Sequence, residues 1–127
     1  MDFLLDTNAF LWFSEDNPKL SPTAKKYIED PNNYCYMSIA SLWEISIKIS
    51  LNKINLKISF EKFFRLIEDN GFKVLPITFE HTLQVSKLIF HHKDPFDRLI
   101  ISQAIVEDVP IITSDEIFNS YKIKCIW

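Results

Sequence analysis

Short apolar runs of strand length alternate with helix-length segments along the whole chain, and that alternation leaves few ways to fold it. Phe3–Leu5 reads as a short buried strand, with a helix over Thr7–Ser14 after it. Asn17-Pro18 breaks that helix, and Ser21-Pro22 opens another to about Asp30, with Ser21 as N-cap and Pro22 at the first helical position. Tyr34–Met37 is strand-like, and Ser38 caps a helix running to about Ser50. Leu51–Lys57 reads as a loop; Ser59 then caps a helix to about Asn70, ended by Gly71 in the left-handed position. Lys73–Ile77 is a strand that Pro76 confines to an edge or a strand end. Helices follow over Phe79–Phe90 and, capped by Asp94 with Pro95 behind it, to about Asp108. Val109–Thr113, Asp115–Ser120 and Ile123–Ile126 complete the pattern as strand, short helix and strand. Strands that each lead into a helix pair in parallel and carry helices on both faces. The expected architecture is α/β, a three-layer α/β/α arrangement around a central, mostly parallel twisted sheet.

Composition narrows the function. A chain of 127 residues, 47% apolar and 24% charged, is sized and balanced for one globular domain, residues 1–127, with a real core. The single glycine excludes a glycine-rich phosphate loop. Cys35 and Cys125 lie in apolar runs and read as small buried residues rather than a disulfide framework or a zinc site. No signal peptide precedes Met1-Asp2-Phe3 and no apolar run nears membrane-spanning length, so the chain reads as cytoplasmic with no membrane partner.

Four acids carry the chemistry. Asp6 follows the first strand and Asp115 follows the run Ile111-Ile112-Thr113-Ser114, so an open parallel sheet places both at strand carboxyl ends, where α/β folds bind ligands. Glu44 falls inside a helix among Leu42, Trp43, Ile45 and Ile47, and Asp97 in the first turn of another. Each has an ordinary explanation. Asp6 and Asp115 suit N-caps, Asp97 suits a helix dipole, and Glu44 suits a pair with Lys48 or a capping box with Ser41. Together, carboxylates gathered at one place repel unless a cation holds them, and a hard divalent ion, Mg²⁺ or Mn²⁺, takes oxygen ligands. The net charge of −3 argues against a polyanion partner until that ion is counted, after which any contact with nucleic acid must be local. Arg98 reads as a salt-bridge partner for Asp94 or Asp97, and His81, His91 and His92 as solvent-facing or hydrogen-bonded rather than ligands. Lys48, Lys53, Lys57 and Lys62 read as a solvated face, and Trp12, Trp43 and the phenylalanines as core or dimer surface.

The words around these acids are Leu4-Leu5-Asp6-Thr7-Asn8-Ala9, Ser38-Ile39-Ala40-Ser41-Leu42-Trp43-Glu44-Ile45, His92-Lys93-Asp94-Pro95-Phe96-Asp97-Arg98-Leu99 and Ile112-Thr113-Ser114-Asp115. In this order they resemble a PIN-domain ribonuclease, specifically a VapC-type toxin of toxin–antitoxin systems, over essentially the whole chain. The resemblance implies a PIN-like fold and places the acidic quartet on Asp6, Glu44, Asp97 and Asp115, with Thr113 as a supporting hydroxyl. Asp94 belongs to the motif, although its spacing suits a cap or a supporting role. Asp6, Asp97 and Asp115 are then expected to hold the principal ion directly or through water. Glu44 is expected to hold a second ion or orient the attacking water. The resemblance further implies cleavage of single-stranded or looped RNA to a 5′-phosphate and a 3′-hydroxyl, a homodimer, and a cognate antitoxin protein whose tail blocks the acidic pocket. Phe10, Trp12, Phe13, Phe63 and Phe64 suit either an interface or a core.

Three rivals share parts of this pattern. A receiver-type phosphoacceptor domain wants an acidic pair after the first strand and a phosphorylatable Asp after a central one, whereas Thr7-Asn8 follows Asp6 and the central strands end at Ser38 and Thr78. A phosphatase with an aspartyl nucleophile wants an acid where Asn8 stands. A catalytically silent PIN scaffold that binds RNA or protein does not need the intact quartet.

Overall fold

The computed structural model describes residues 1–127. Five strands, β1 (Asp2–Leu5), β2 (Tyr34–Ser38), β3 (Lys73–Leu75), β4 (Ile111–Ile112) and β5 (Cys125–Ile126), form one sheet in the order β3-β2-β1-β4-β5. Every pairing is parallel. The chain moves outward from β1 through β2 to β3, then returns to lay β4 on the other side of β1. The sheet therefore has its topological switch point between β1 and β4, where α/β folds open a crevice at the strand carboxyl ends.

Six helices cover the sheet: α1 (Thr7–Ser14), α2 (Pro22–Glu29), α3 (Ile39–Ser50), α4 (Phe60–Asp69), α5 (Phe79–Lys87) and α6 (Pro95–Glu107). The alternation of side chains along each strand sorts them into two layers. Phe3, Leu5, Cys35, Met37 and Ile126 point to one core, filled by Phe10 of α1, Ala24 and Ile28 of α2, and Phe63 and Ile67 of α4. Leu4 and Ile111 point to the other, packed by Ile100, Ile101 and Ala104 of α6 with Phe118 and Tyr121. α3 serves both, giving Leu42 and Ile45 to the first core and Ala40 to the second. Phe10 meets Phe63 and Phe72 edge-on at 5.2 and 5.3 Å, so Phe10 and Phe63 are core residues, not interface residues.

The expected boundaries hold where a cap or a breaker set them. Ser21, Ser38 and Ser59 each accept a backbone N–H as N-caps of α2, α3 and α4. α4 ends with Gly71 at φ +75°; Phe72 N–H reaches Ile67 O and Gly71 N–H reaches Glu68 O, while Phe72 and Ile67 join the same core. β3 lies at the sheet edge but stops at Leu75, because Pro76 brings no N–H to the ladder. β4 and β5 are also shorter than their apolar runs, and the segment after Asp115 is a 3-10 helix, Glu116–Ser120.

One boundary moves for a tertiary reason. The helix expected over Phe79–Phe90 ends at Lys87 because Arg98 of α6 takes the carbonyls of Leu88 and Ile89 at 3.0 and 2.9 Å. Arg98 is therefore no salt-bridge partner of Asp94 or Asp97. It is buried, donates also to the Tyr121 hydroxyl at 3.2 Å, and lies 3.9 Å from the centre of the Phe90 ring. No helix is long and apolar enough to cross a membrane.

Candidate functional site

Asp6 stands where β1 becomes α1 and serves that junction twice. Its Oδ1 accepts the Ala9 N–H at 2.6 Å as the α1 N-cap, and its Oδ2 accepts the Thr113 hydroxyl at 2.5 Å from across the switch point. Thr113 follows β4, and its Oγ1 also accepts the Asp115 N–H at 3.0 Å. Asp115 then caps the 3-10 helix, accepting from Ile117 N–H at 3.2 Å. One hydroxyl thus ties the two acids that flank the crevice. Asp6 is only 7% exposed, and burial pushes its carboxyl up to about 6 against the lowering effect of its two donors; the charges of Asp115 and Glu44 push it the same way.

Glu44 enters from α3. Ser38 both caps that helix and donates to Gln103 Oε1 of α6 at 2.5 Å, which fixes how α3 leaves β2. Glu44 is 8% exposed, its Oε1 accepts the Thr7 hydroxyl at 2.8 Å, and its Oε2 lies 3.2 Å from Lys48 Nζ. The pair with Lys48 and the buried carboxylate are therefore both real. Ser41 lies 2.8 Å from the same Thr7 oxygen, so with Thr7 donating its one hydrogen to Glu44, Ser41 donates to Thr7.

Asp97 arrives on the first turn of α6. Asp94 Oδ1 accepts its backbone N–H at 2.9 Å, which makes Asp94 the cap and frees the Asp97 carboxyl for other work. Asp97 Oδ2 lies 3.1 Å from His92 Nε2. Burial pushes this carboxyl up to about 6, helped by the charges of Asp94 and Glu44 and opposed by His92. Glu44 therefore raises both Asp6 and Asp97, and Asp115 raises Asp6, so the four acids act on one another in one field at the sheet's carboxyl end.

The only basic side chains within ion-pair distance are Lys48 beside Glu44 and the His92 imidazole beside Asp97; Asp6 and Asp115 have none. A buried Asp6 and a half-buried Asp97, neither with a lysine or arginine, are a setting into which a cation fits. The side chains do not close around one point as a group of three. That suits an ion such as Mg²⁺, which keeps much of its water and uses one or two carboxylates together with substrate oxygens. A cleft of about 670 Å³ between α1, α2 and α4, lined in part by Phe10, Phe13, Leu66 and Phe72, contains none of the four acids.

Three participants carried no role in the sequence reading. Thr7 and His92 stand next to or near an acid in sequence, and Tyr121 has no local signal because its partners lie 23 to 30 residues away. His81 is hydrogen-bonded, as expected of the histidines, but buried; it accepts Thr78 N–H at 3.0 Å in a capping box and has no part in the acidic site. Burial pushes the Cys35 thiol up to about 12, and Cys125 is half-buried.

A fully parallel five-stranded sheet flanked by helices, with acids about its switch point, defines an α/β class of protein. Within that class the assignment is specific: the PIN domain profile matches residues 3–124, and the chain belongs to this family. No curated protein sequence matches it. Among solved structures, a chain of VapBC2 from Rickettsia felis, bound to a DNA fragment from its promoter, superposes with a TM-score of 0.73 at 18% identity, covering 98% of this chain and 97% of that one. A chain of VapBC-1 from nontypeable Haemophilus influenzae gives 0.70 at 21% identity, covering 98% and 96%. A chain of DNA-bound VapBC from Salmonella typhimurium gives 0.68 at 15%, also covering 98% and 96%. At these identities the likeness is one of fold.

Proposed function

We propose that this protein is a metal-dependent endoribonuclease and the toxin of a toxin–antitoxin pair. The observation that carries the reading is the pair of carboxyls, buried Asp6 and half-buried Asp97, both facing the charge of Glu44, raised to about 6 and lacking a lysine or arginine. A bound Mg²⁺ or Mn²⁺ would lower the pKa of water, neutralise the phosphate and align an in-line attack. The protein's part is to hold its oxygens still. Ala9 N–H and Thr113 fix Asp6, Thr7 fixes Glu44, and His92 fixes Asp97. Asp115, tied through Thr113, completes the acidic surface for the ion or its water.

One exposed feature favours RNA that is not paired. Trp43, beside Glu44, is 58% exposed and meets Phe96, beside Asp97, edge-on at 5.2 Å. An aromatic pair at the rim of a phosphate site offers a face on which an unstacked base can lie. Trp43 was expected in a core or an interface, and this position gives it a second use. Protein partners are favoured by α5 and the segment after it, where Phe79 is 72% exposed, Ile89 69% and Phe90 74%. A homodimer and the apolar part of an antitoxin are the occupants proposed for that surface. The basic side chain of an antitoxin is the one proposed for the acidic site.

The test is cleavage of a mixed single-stranded RNA pool by purified protein with Mg²⁺, Mn²⁺ or EDTA, beside Asp97→Asn. Cleavage that needs metal, leaves 5′-phosphate ends and disappears in the variant is expected. Cleavage that persists in EDTA or in Asp97→Asn would overturn the reading.

A further inference from the structure

The acids are held by hydrogen bonds of different origin, and the one on Asp97 is the last link of a chain that starts at a buried guanidinium. Tyr121, 4% exposed, presents its hydroxyl to three neighbours: Arg98 Nη1 at 3.2 Å, His91 N–H at 3.4 Å and His92 Nδ1 at 2.8 Å. A guanidinium has only donors, and a backbone amide nitrogen likewise. Both lone pairs of the phenol oxygen are therefore taken. Its single hydrogen has one acceptor within reach, His92 Nδ1, so that nitrogen is unprotonated and the ring's proton lies on Nε2. Nε2 faces Asp97 Oδ2 at 3.1 Å and donates to it.

We propose that His92 is a positioning residue for Asp97: a neutral imidazole, locked by Arg98 and Tyr121 as its Nε2–H tautomer, that fixes Asp97 Oδ2 and leaves Oδ1 to the ion. The proposal rests on the reading of Asp97 as an ion-binding carboxylate. The competing description, an ordinary His–Asp ion pair, fails on the donor count. It puts a proton on both ring nitrogens, which gives the phenol oxygen three donors for two lone pairs and leaves the phenol hydrogen without an acceptor.

The same guanidinium positions the segment that carries His92. Arg98 binds Leu88 O and Ile89 O, and Phe90 covers its face. The ring of His91 meets Tyr121 edge-on at 4.7 Å, closing the other side. Lys or Met at residue 98 could not hold two carbonyls and a phenol at once, because only the planar fork presents several donors at fixed angles. Asp94 completes the arrangement by taking the Asp97 backbone N–H, so the Asp97 carboxyl does not turn back to cap its own helix.

Two measurements on the full chain decide it. Nitrogen-15 NMR of the imidazoles in metal-free wild type is expected to show His92 protonated on Nε2 only, and Tyr121→Phe is expected to lose that single-tautomer signature. Calorimetric titration with Mn²⁺ is expected to weaken by about tenfold or more in His92→Ala, in the range for loss of a group that orients a ligand. His92→Gln should recover most of that loss, since its amide can donate to Asp97 and accept from Tyr121. His92 protonated on both nitrogens or on Nδ1, or wild-type Mn²⁺ affinity in His92→Ala, would overturn the proposal. Wild-type protein that binds no Mn²⁺ would instead refute the metal reading itself, and the NMR result, which needs neither metal nor variant, would still decide the tautomer.

Discussion

Replacing Asp6 by asparagine is expected to stabilise the metal-free protein at neutral pH even as it removes a site carboxylate. Asp6 is 7% exposed and titrates at about 6, chiefly because burial disfavours its charge. A carboxyl whose pKa rises on folding binds its proton more tightly in the folded state. It therefore favours folding as the acid and loses that contribution as pH climbs through the folded pKa. At about 1.4 kcal/mol per pKa unit, the difference between an unfolded value near 4 and a folded value near 6 makes the buried anion cost roughly 3 kcal/mol above that range. Asparagine carries no charge and caps a helix as well as aspartate, so the bond from Ala9 N–H survives. Its amide in place of Oδ2 requires the Thr113 hydroxyl to turn from donor to acceptor, a loss of about 1 kcal/mol. The net gain is roughly 2 kcal/mol, a rise in Tm of about 6 to 10 °C for a chain of this size. Thermal unfolding in EDTA from about pH 8 to about pH 4 reads it out: the variant melts higher at the alkaline end, and the gap closes as wild-type Asp6 takes up its proton. A variant that melts below wild type at about pH 8, or a gap that does not change with pH, would refute the reasoning.

Because Asp6 and Asp97 both titrate at about 6, protons compete with a cation there. Calorimetric Mn²⁺ affinity is therefore expected to fall about 10- to 100-fold from pH 7 to pH 5, and a flat profile would contradict it. Arg98→Met is expected to cost about 2 to 4 kcal/mol in urea unfolding, with little recovery in Arg98→Lys, since a lysine cannot serve Leu88 O, Ile89 O and Tyr121 together; a loss under about 1 kcal/mol would count against that role. Trp43→Ala should weaken single-stranded RNA binding about 5- to 100-fold while leaving Tm nearly unchanged, because the ring is 58% exposed. Equal RNA affinity in the two proteins would remove the stacking role.

What the sequence disclosed depended on how local the cause was. Ser21, Ser38 and Ser59 set helix starts from within one turn, and each acted as read. The continuous apolar run Phe3-Leu4-Leu5 of β1 announced a strand buried on both faces, which requires two helical layers. Asp6, Asp97 and Asp115 were visible as acids at helix starts, and Glu44 as an acid among apolar neighbours inside α3. The causes that were missed are long-range. The end of α5 is set by Arg98, ten and nine residues beyond Leu88 and Ile89, so no propensity of the Phe79–Phe90 stretch could mark it. Tyr121 reaches His92 across 29 residues. Arg98 was misread because an arginine beside two aspartates suggests an ion pair, whereas α6 turns its side chain into the layer beneath α5.

These four acids are proposed to hold a divalent ion at the β1–β4 switch point. Anomalous diffraction from crystals of the protein grown with Mn²⁺ tests it most directly. A peak bounded by Asp6, Glu44, Asp97 and Asp115, lost in Asp97→Asn, is the expected result. Mn²⁺ bound elsewhere, or an empty acidic site in crystals whose protein cleaves RNA, would contradict it.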